Sequence, residues 1–176
     1  MSTDRYLTIY LRDHLAATTV GLEFVERVIA ENRDNAIGEH LTPMGAELQQ
    51  EAQALRQAME LLQVEPSHLK IAGAWLAEKT GRLKFNGRLR GYSPLSRLLE
   101  IEFLMAALQA RKGLWMTLQD ARHLYPQLEQ FPMERYADRA DEQLARLEKM
   151  HLKAARAMLK AAQKRDIEGQ QRPPVP

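Results

Sequence analysis

The chain contains no cysteine. That removes disulfides, thiolate zinc sites, iron–sulfur clusters and cysteine nucleophiles from consideration, and it suits a reducing compartment. Aromatic residues make up only 6% of the 176 residues. Charge of one sign is lacking too: 25 basic and 23 acidic side chains leave a net charge of +2, and the placement of charge matters more than its sum. No apolar run approaches the roughly 18–20 residues of a membrane span. The opening Met1-Ser2-Thr3-Asp4-Arg5 leads into a charged amphipathic pattern without the apolar core of a signal peptide. Cytoplasm is the expected compartment. There is no Gly-x-Ser-x-Gly elbow, no His-Glu-x-x-His and no Walker or Rossmann glycine fingerprint, so nucleophile-based or nucleotide-dependent catalysis has no visible foothold.

What the chain has is helix. Leu, Ala, Glu, Gln, Arg and Met, the strong helix formers, dominate it. A first helix is expected from about Asp4 to Asn32, with Ser2, Thr3 or Asp4 as cap and Leu7, Leu11, His14, Leu15, Thr18, Leu22, Val25 and Ile29 on one stripe. Thr42-Pro43 reads as the cap and first turn of a second helix, whose stripe is Met44, Leu48, Glu51, Leu55, Met59 and Leu62, ending at Pro66. Ser67 to about Lys79 reads as a short helix, followed by a glycine-dotted basic link. Ser93-Pro94 opens a third long helix, apolar nearly all round from Leu98 to Leu108 apart from Glu100 and Glu102, and Gly113 offers a kink. A fourth runs from about Pro132 to Gly169, carrying Leu144, Leu147, His151, Ala155 and Met158. Residues 1–169 thus form one helical domain, with 170–176 a disordered proline-rich tail. The long connection between the second and third helices far exceeds a simple helix–helix turn. Two antiparallel hairpins joined by a crossover is the expected topology, that of a ferritin-like four-helix bundle.

Each long helix carries an ionisable group on or beside its apolar stripe: His14, Glu51, Glu102 (with Glu100 near it) and His151. Lone charges are seldom buried, because desolvation costs several kcal/mol, so a shared polar layer is expected. The favoured reading is structural, with His151 and Glu102 satisfying each other and Glu51 meeting an arginine. The alternative is a metal site for Fe or Mn built from Glu51, Glu102, Glu148 and His151, with His14 as ligand or supporting partner. Glu148-Lys149-Met150-His151 has the Glu-x-x-His spacing of di-iron bundles, but Glu51 is followed by Ala52-Gln53-Ala54 and no second such motif sits inside a helix. With the second helix starting at Thr42, Glu51 and Glu102 fall at one level. Between Lys79 and Arg97, the cations Arg82, Lys84, Arg88, Arg90 and Arg97 form a stretch without acids that could hold an anion. Pairing with acidic helix faces is the favoured reading there, and nucleic acid is not the expected partner. Trp75 and Trp115 read as packing anchors.

Three stretches resemble an uncharacterised family of small bacterial proteins linked to the ferritin-like superfamily. They are Tyr6-Leu7…Leu11-Arg12-Asp13-His14-Leu15-Ala16, the run Gly81-Arg82-Leu83-Lys84-Phe85-Asn86-Gly87-Arg88 with Gly91-Tyr92-Ser93-Pro94-Leu95-Ser96-Arg97, and Asp141-Glu142-Gln143-Leu144…Leu147-Glu148-Lys149-Met150-His151. The resemblance implies a four-helix bundle, in some cases a homodimer and in some cases a di-iron protein. The missing second Glu-x-x-His departs from the di-iron pattern. The expected function is that of a non-catalytic helper or stress-related protein. A metal-binding, di-iron-like oxidoreductase and an anionic-partner binder are the alternatives.

Overall fold

The computed structural model describes residues 3–66 and 93–170, without the side chains of 164–170. The expected short helix from Ser67, the basic link and the tail 171–176 lie outside the described residues. Within them the fold is all-α: α1 (Arg5–Glu31), α2 (Ala36–Leu61), α3 (Pro94–Ala121), a 3-10 turn (Pro126–Gln130) and α4 (Met133–Gln170).

Local chemistry sets the ends. Asp4 caps α1, its side chain accepting from the Tyr6 N–H at 2.7 Å, while Thr3 turns its hydroxyl onto the Leu62 carbonyl at the far end of α2, at 2.6 Å. Ser93 caps α3 with Pro94 in the first turn, as expected, and α3 runs unbroken through Gly113. The start of α2 differs from expectation. Asn35 is the cap, accepting from the Ile37 N–H, and Pro43 sits inside the helix. A proline there removes one intrahelical hydrogen bond and crowds the preceding turn. The core outweighs that cost: Leu41 (1% exposed) and Met44 (6%) flank it in the interior, and the Thr42 hydroxyl donates to the Gly38 carbonyl at 2.8 Å. The end of α2 is also earlier than Pro66. Gln63 adopts a left-handed φ of 55°, and Val64 N–H reaches Met59 O at 2.8 Å while Gln63 N–H reaches Glu60 O at 2.9 Å. That double bond is a Schellman stop.

The hydrogen bonds and packing fix the helix directions. Leu11 and Leu15 of α1 meet Leu55 and Met59 of α2, and Leu114, Trp115 and Leu118 of α3, in one apolar cluster closed by Tyr125, Leu128, Phe131 and Met133. At the other end Phe24, Val25 and Val28 meet Leu41 and Met44, Leu98 to Leu108, and Leu147 and Ala154. So α1 and α2 are antiparallel, α3 and α4 are antiparallel, and α2 and α3 run the same way.

The α1–α2 turn allows no room for a side chain at Gly38, where an added Cβ would collide with the backbone carbonyl of Asn32. Asn32 is itself buried and donates to Val28 O at 2.9 Å, so the turn is pinned from both sides. Gly38→Ala is expected to destabilise the protein by about 1–3 kcal/mol, the usual cost of overpacking a rigid contact. Chemical denaturation of the two proteins side by side measures it.

Candidate functional site

The two apolar clusters are separated by a layer of buried polar side chains. Three helices each contribute a pair spaced by four residues, hence on one face: Glu47 and Glu51 from α2, Arg111 and Trp115 from α3, Arg139 and Gln143 from α4. Glu51 (1% exposed), Arg111 (6%) and Gln143 (3%) are fully enclosed. The Trp115 indole donates to Glu51 Oε2 at 2.9 Å, and Arg111 Nε lies 3.1 Å from the same oxygen. Arg139 Nη1 approaches Glu51 Oε1 at 3.4 Å and its Nε stands 3.8 Å from Glu47 Oε1. Gln143 closes the ring: its amide oxygen accepts from Arg111 and its amide nitrogen donates to Glu47. Two carboxylates face two guanidinium groups, so the layer is charge-balanced.

The electrostatics follow from burial. Loss of water pushes the Glu51 carboxyl above its ordinary range, and Arg111, the Trp115 indole and Arg139 pull it back only in part. The same loss of water holds the Arg111 guanidinium below its usual range, against the pull of Glu51 and Glu47. Tyr136, whose ring packs 4.6 Å from that of Trp115, is pushed up by burial and by the nearby Glu51 charge.

The five expected metal ligands are not brought together. Among the described residues no group of three or more His, Asp or Glu side chains stands as a metal-holding set. Glu51 belongs to the arginine ring. Glu102 and His151 meet each other at 3.0 Å, on the half-exposed outer edge of α3 and α4. Glu148 is exposed. His14 stacks on Tyr10 with ring centroids 4.3 Å apart. Glu51 and Glu102 do not share a level as expected: Glu51 meets Trp115 and Arg111, and Glu102 meets His151. The second helix starts at Ala36, not at Thr42, so Glu51 lies about two turns (roughly 10 Å) farther along than Pro43 suggested. It therefore meets Trp115 and Arg111 rather than Glu102. These residues do not fit a di-iron centre. Of the anion-binding candidates, Arg82, Lys84, Arg88 and Arg90 lie outside the described residues, while Arg97 is half-buried in the first turns of α3.

Sequence reading singled out Glu51 but missed Glu47, Arg111, Arg139 and Gln143, which complete its ring. The signal was present: each pair is spaced by four residues and places a polar group beside an apolar stripe. Glu100, noted beside Glu102 in the sequence, is the more deeply buried of the two (4% exposed), and its carboxyl is pushed up to about 7 by burial and by Glu31, with Arg27 at 3.6 Å opposing. Among the described residues no helix is long and apolar enough to cross a membrane. No family model, curated protein or solved structure matches the chain.

Two outcomes are expected. Arg111→Met removes the closest cation from Glu51 and the donor to the Gln143 amide oxygen, leaving Glu51 to Arg139 and the Trp115 indole, and costs about 3–5 kcal/mol, whereas adding Glu51→Met restores most of that loss, because a neutral Glu47–Arg139 pair remains. Simple additivity of the two losses in urea unfolding would contradict the ring. For Glu100, the native state holds its proton more tightly than the unfolded chain, so stability falls as pH rises from 4.5 towards about 7. The loss should be about 1–3 kcal/mol. Glu100→Gln flattens that slope when unfolding is followed across this range.

Proposed function

We propose that the chain is a non-catalytic helper protein of ferritin-like build, a four-helix bundle whose interior serves structure rather than redox chemistry. One observation carries this reading: the buried carboxylates and cations of the central layer are committed to one another, Glu51 to Arg111 and Arg139, and Glu47 to Arg139 and Gln143. A di-metal site in such a bundle needs inward carboxylates and histidines free to ligate. Here an arginine stands against the enclosed carboxylate instead. The ferritin-like part of the proposal is supported by helix order, with two antiparallel pairs and parallel α2 and α3. The resemblance of the Tyr6–Ala16, Gly81–Arg97 and Asp141–His151 stretches points the same way. A helper of this kind works through its outer faces, on a partner or a second copy.

The test is elemental analysis of the untagged chain, purified without chelator and again after anaerobic loading with Fe(II) or Mn(II). Sub-stoichiometric metal after both treatments is the expected result. One or more tightly held ions per chain, lost on Glu51→Ala or His151→Ala, would overturn the proposal in favour of a metalloprotein.

A further inference from the structure

At the level of the polar ring the first helix, α1, behaves differently. Where α2, α3 and α4 supply charged or amide pairs, α1 supplies Ala16-Ala17-Thr18-Thr19-Val20-Gly21, without one ionisable group. A cavity of about 70 Å³ opens there, between α1, α2 and α3. Val25, Met44, Leu48, Leu104 and Leu108 make its apolar depth, and His14, Thr18 and Arg111 add polar groups to its wall. Ala17 and Ala110, both exposed, stand at its mouth.

Gly21 shows that the packing of the described residues does not account for this space. It lies buried inside α1, and a Cβ built on it meets nothing within 4 Å. Gly38 is different, since there a backbone carbonyl forbids a side chain. A glycine inside a helix costs stability relative to alanine, yet no neighbour demands one at position 21. The cavity is what alanine would narrow.

We propose that this cavity binds a small uncharged amphiphile, a short aliphatic chain ending in one hydroxyl. The chain of carbon lies on Val25, Met44, Leu48, Leu104 and Leu108, and the hydroxyl hydrogen-bonds the His14 imidazole. Size limits the class, because drug-sized ligands need roughly 300 Å³ or more. Charge limits it further. Glu47, Glu51, Arg111 and Arg139 already balance, so an added carboxylate would enter a desolvated layer with no cation in excess. The His14 ring has Tyr10 against its face but no hydrogen-bond partner among the described residues. Burial also holds it below its ordinary range, with Asp13 opposing. A neutral imidazole offers one donor and one acceptor, which suits a hydroxyl.

The probe is n-butanol, titrated into the full-length protein and followed by the methyl resonances of Met44 and Leu104. A saturable shift with a Kd on the order of 1 mM is expected for so small a ligand. Gly21→Leu, which fills the cavity, should weaken binding at least about tenfold while the protein stays folded by its melting curve. Gly21→Ala adds one methyl into open space and should move affinity the same way by less, so the test survives a Gly21→Leu protein that does not fold. His14→Phe keeps the ring on Tyr10, removes the polar atoms and should cost about three- to tenfold. The proposal is overturned by the absence of a saturable shift, by unchanged affinity in the folded Gly21 variants, or by n-butyrate binding as tightly as n-butanol. None of these outcomes bears on metal content, so the ligand site and the helper role stand or fall separately.

Discussion

Glu51 is a carboxylate at the centre of an all-helical core, and the rest of the interior is arranged around keeping it there. Taking a charge out of water costs several kcal/mol unless good partners surround it. The partners here come from two other helices, Arg111 and Trp115 from α3 and Arg139 from α4. A slip of one residue in any of these helices would rotate a charged group into hydrocarbon. The ring therefore sets the register among α2, α3 and α4, in the way a buried polar position selects one alignment of apolar helices. The apolar clusters on either side supply the burial, and many alternative packings could supply nearly as much.

That constraint also explains why α1 is the odd helix. It packs against α2 at close range, where an added Cβ at Gly45 would stand 3.2 Å from Ile29 and 3.3 Å from Val25. It contributes nothing ionisable to the ring. Its small residues at this level leave the flank of Arg111 open to the cavity, with His14 at the edge. A rigid charged layer and an under-filled apolar space thus sit side by side, the first fixing the walls of the second. Binding sites gain from such fixed walls, since little ordering is left to be done when a ligand arrives.

The two expected polar pairings were unequally legible. Glu102 and His151 could be matched from the sequence, because each flanks the apolar stripe of its helix and the antiparallel α3–α4 hairpin has a short, well-marked join. Glu51 could be matched to an arginine in kind but not in number. Placing it required the true start of α2, and Thr42-Pro43 is so good a helix opening that it masks Asn35. Proline at an internal position is locally unfavourable, and the burial of Leu41 on the added turns favours the longer helix. Long-range packing of this sort has no signature in a window of neighbouring residues.

Composition and periodicity by themselves determined that this protein is all-α, that its helices are long, and where most of them are capped. Those features depend on residues a few positions apart, through capping hydrogen bonds and side chains recurring every three to four residues. The stripe Met44, Leu48, Glu51, Leu55, Met59 and Leu62 was readable for the same reason, and every member is buried. Tertiary structure alone decided which arginines Glu51 faces, Arg111 and Arg139, that Glu47 and Gln143 complete a ring, and that Gly21 borders open space. Each of those depends on the axial register of helices remote in sequence, where an error of two turns moves a side chain about 10 Å and exchanges all its partners.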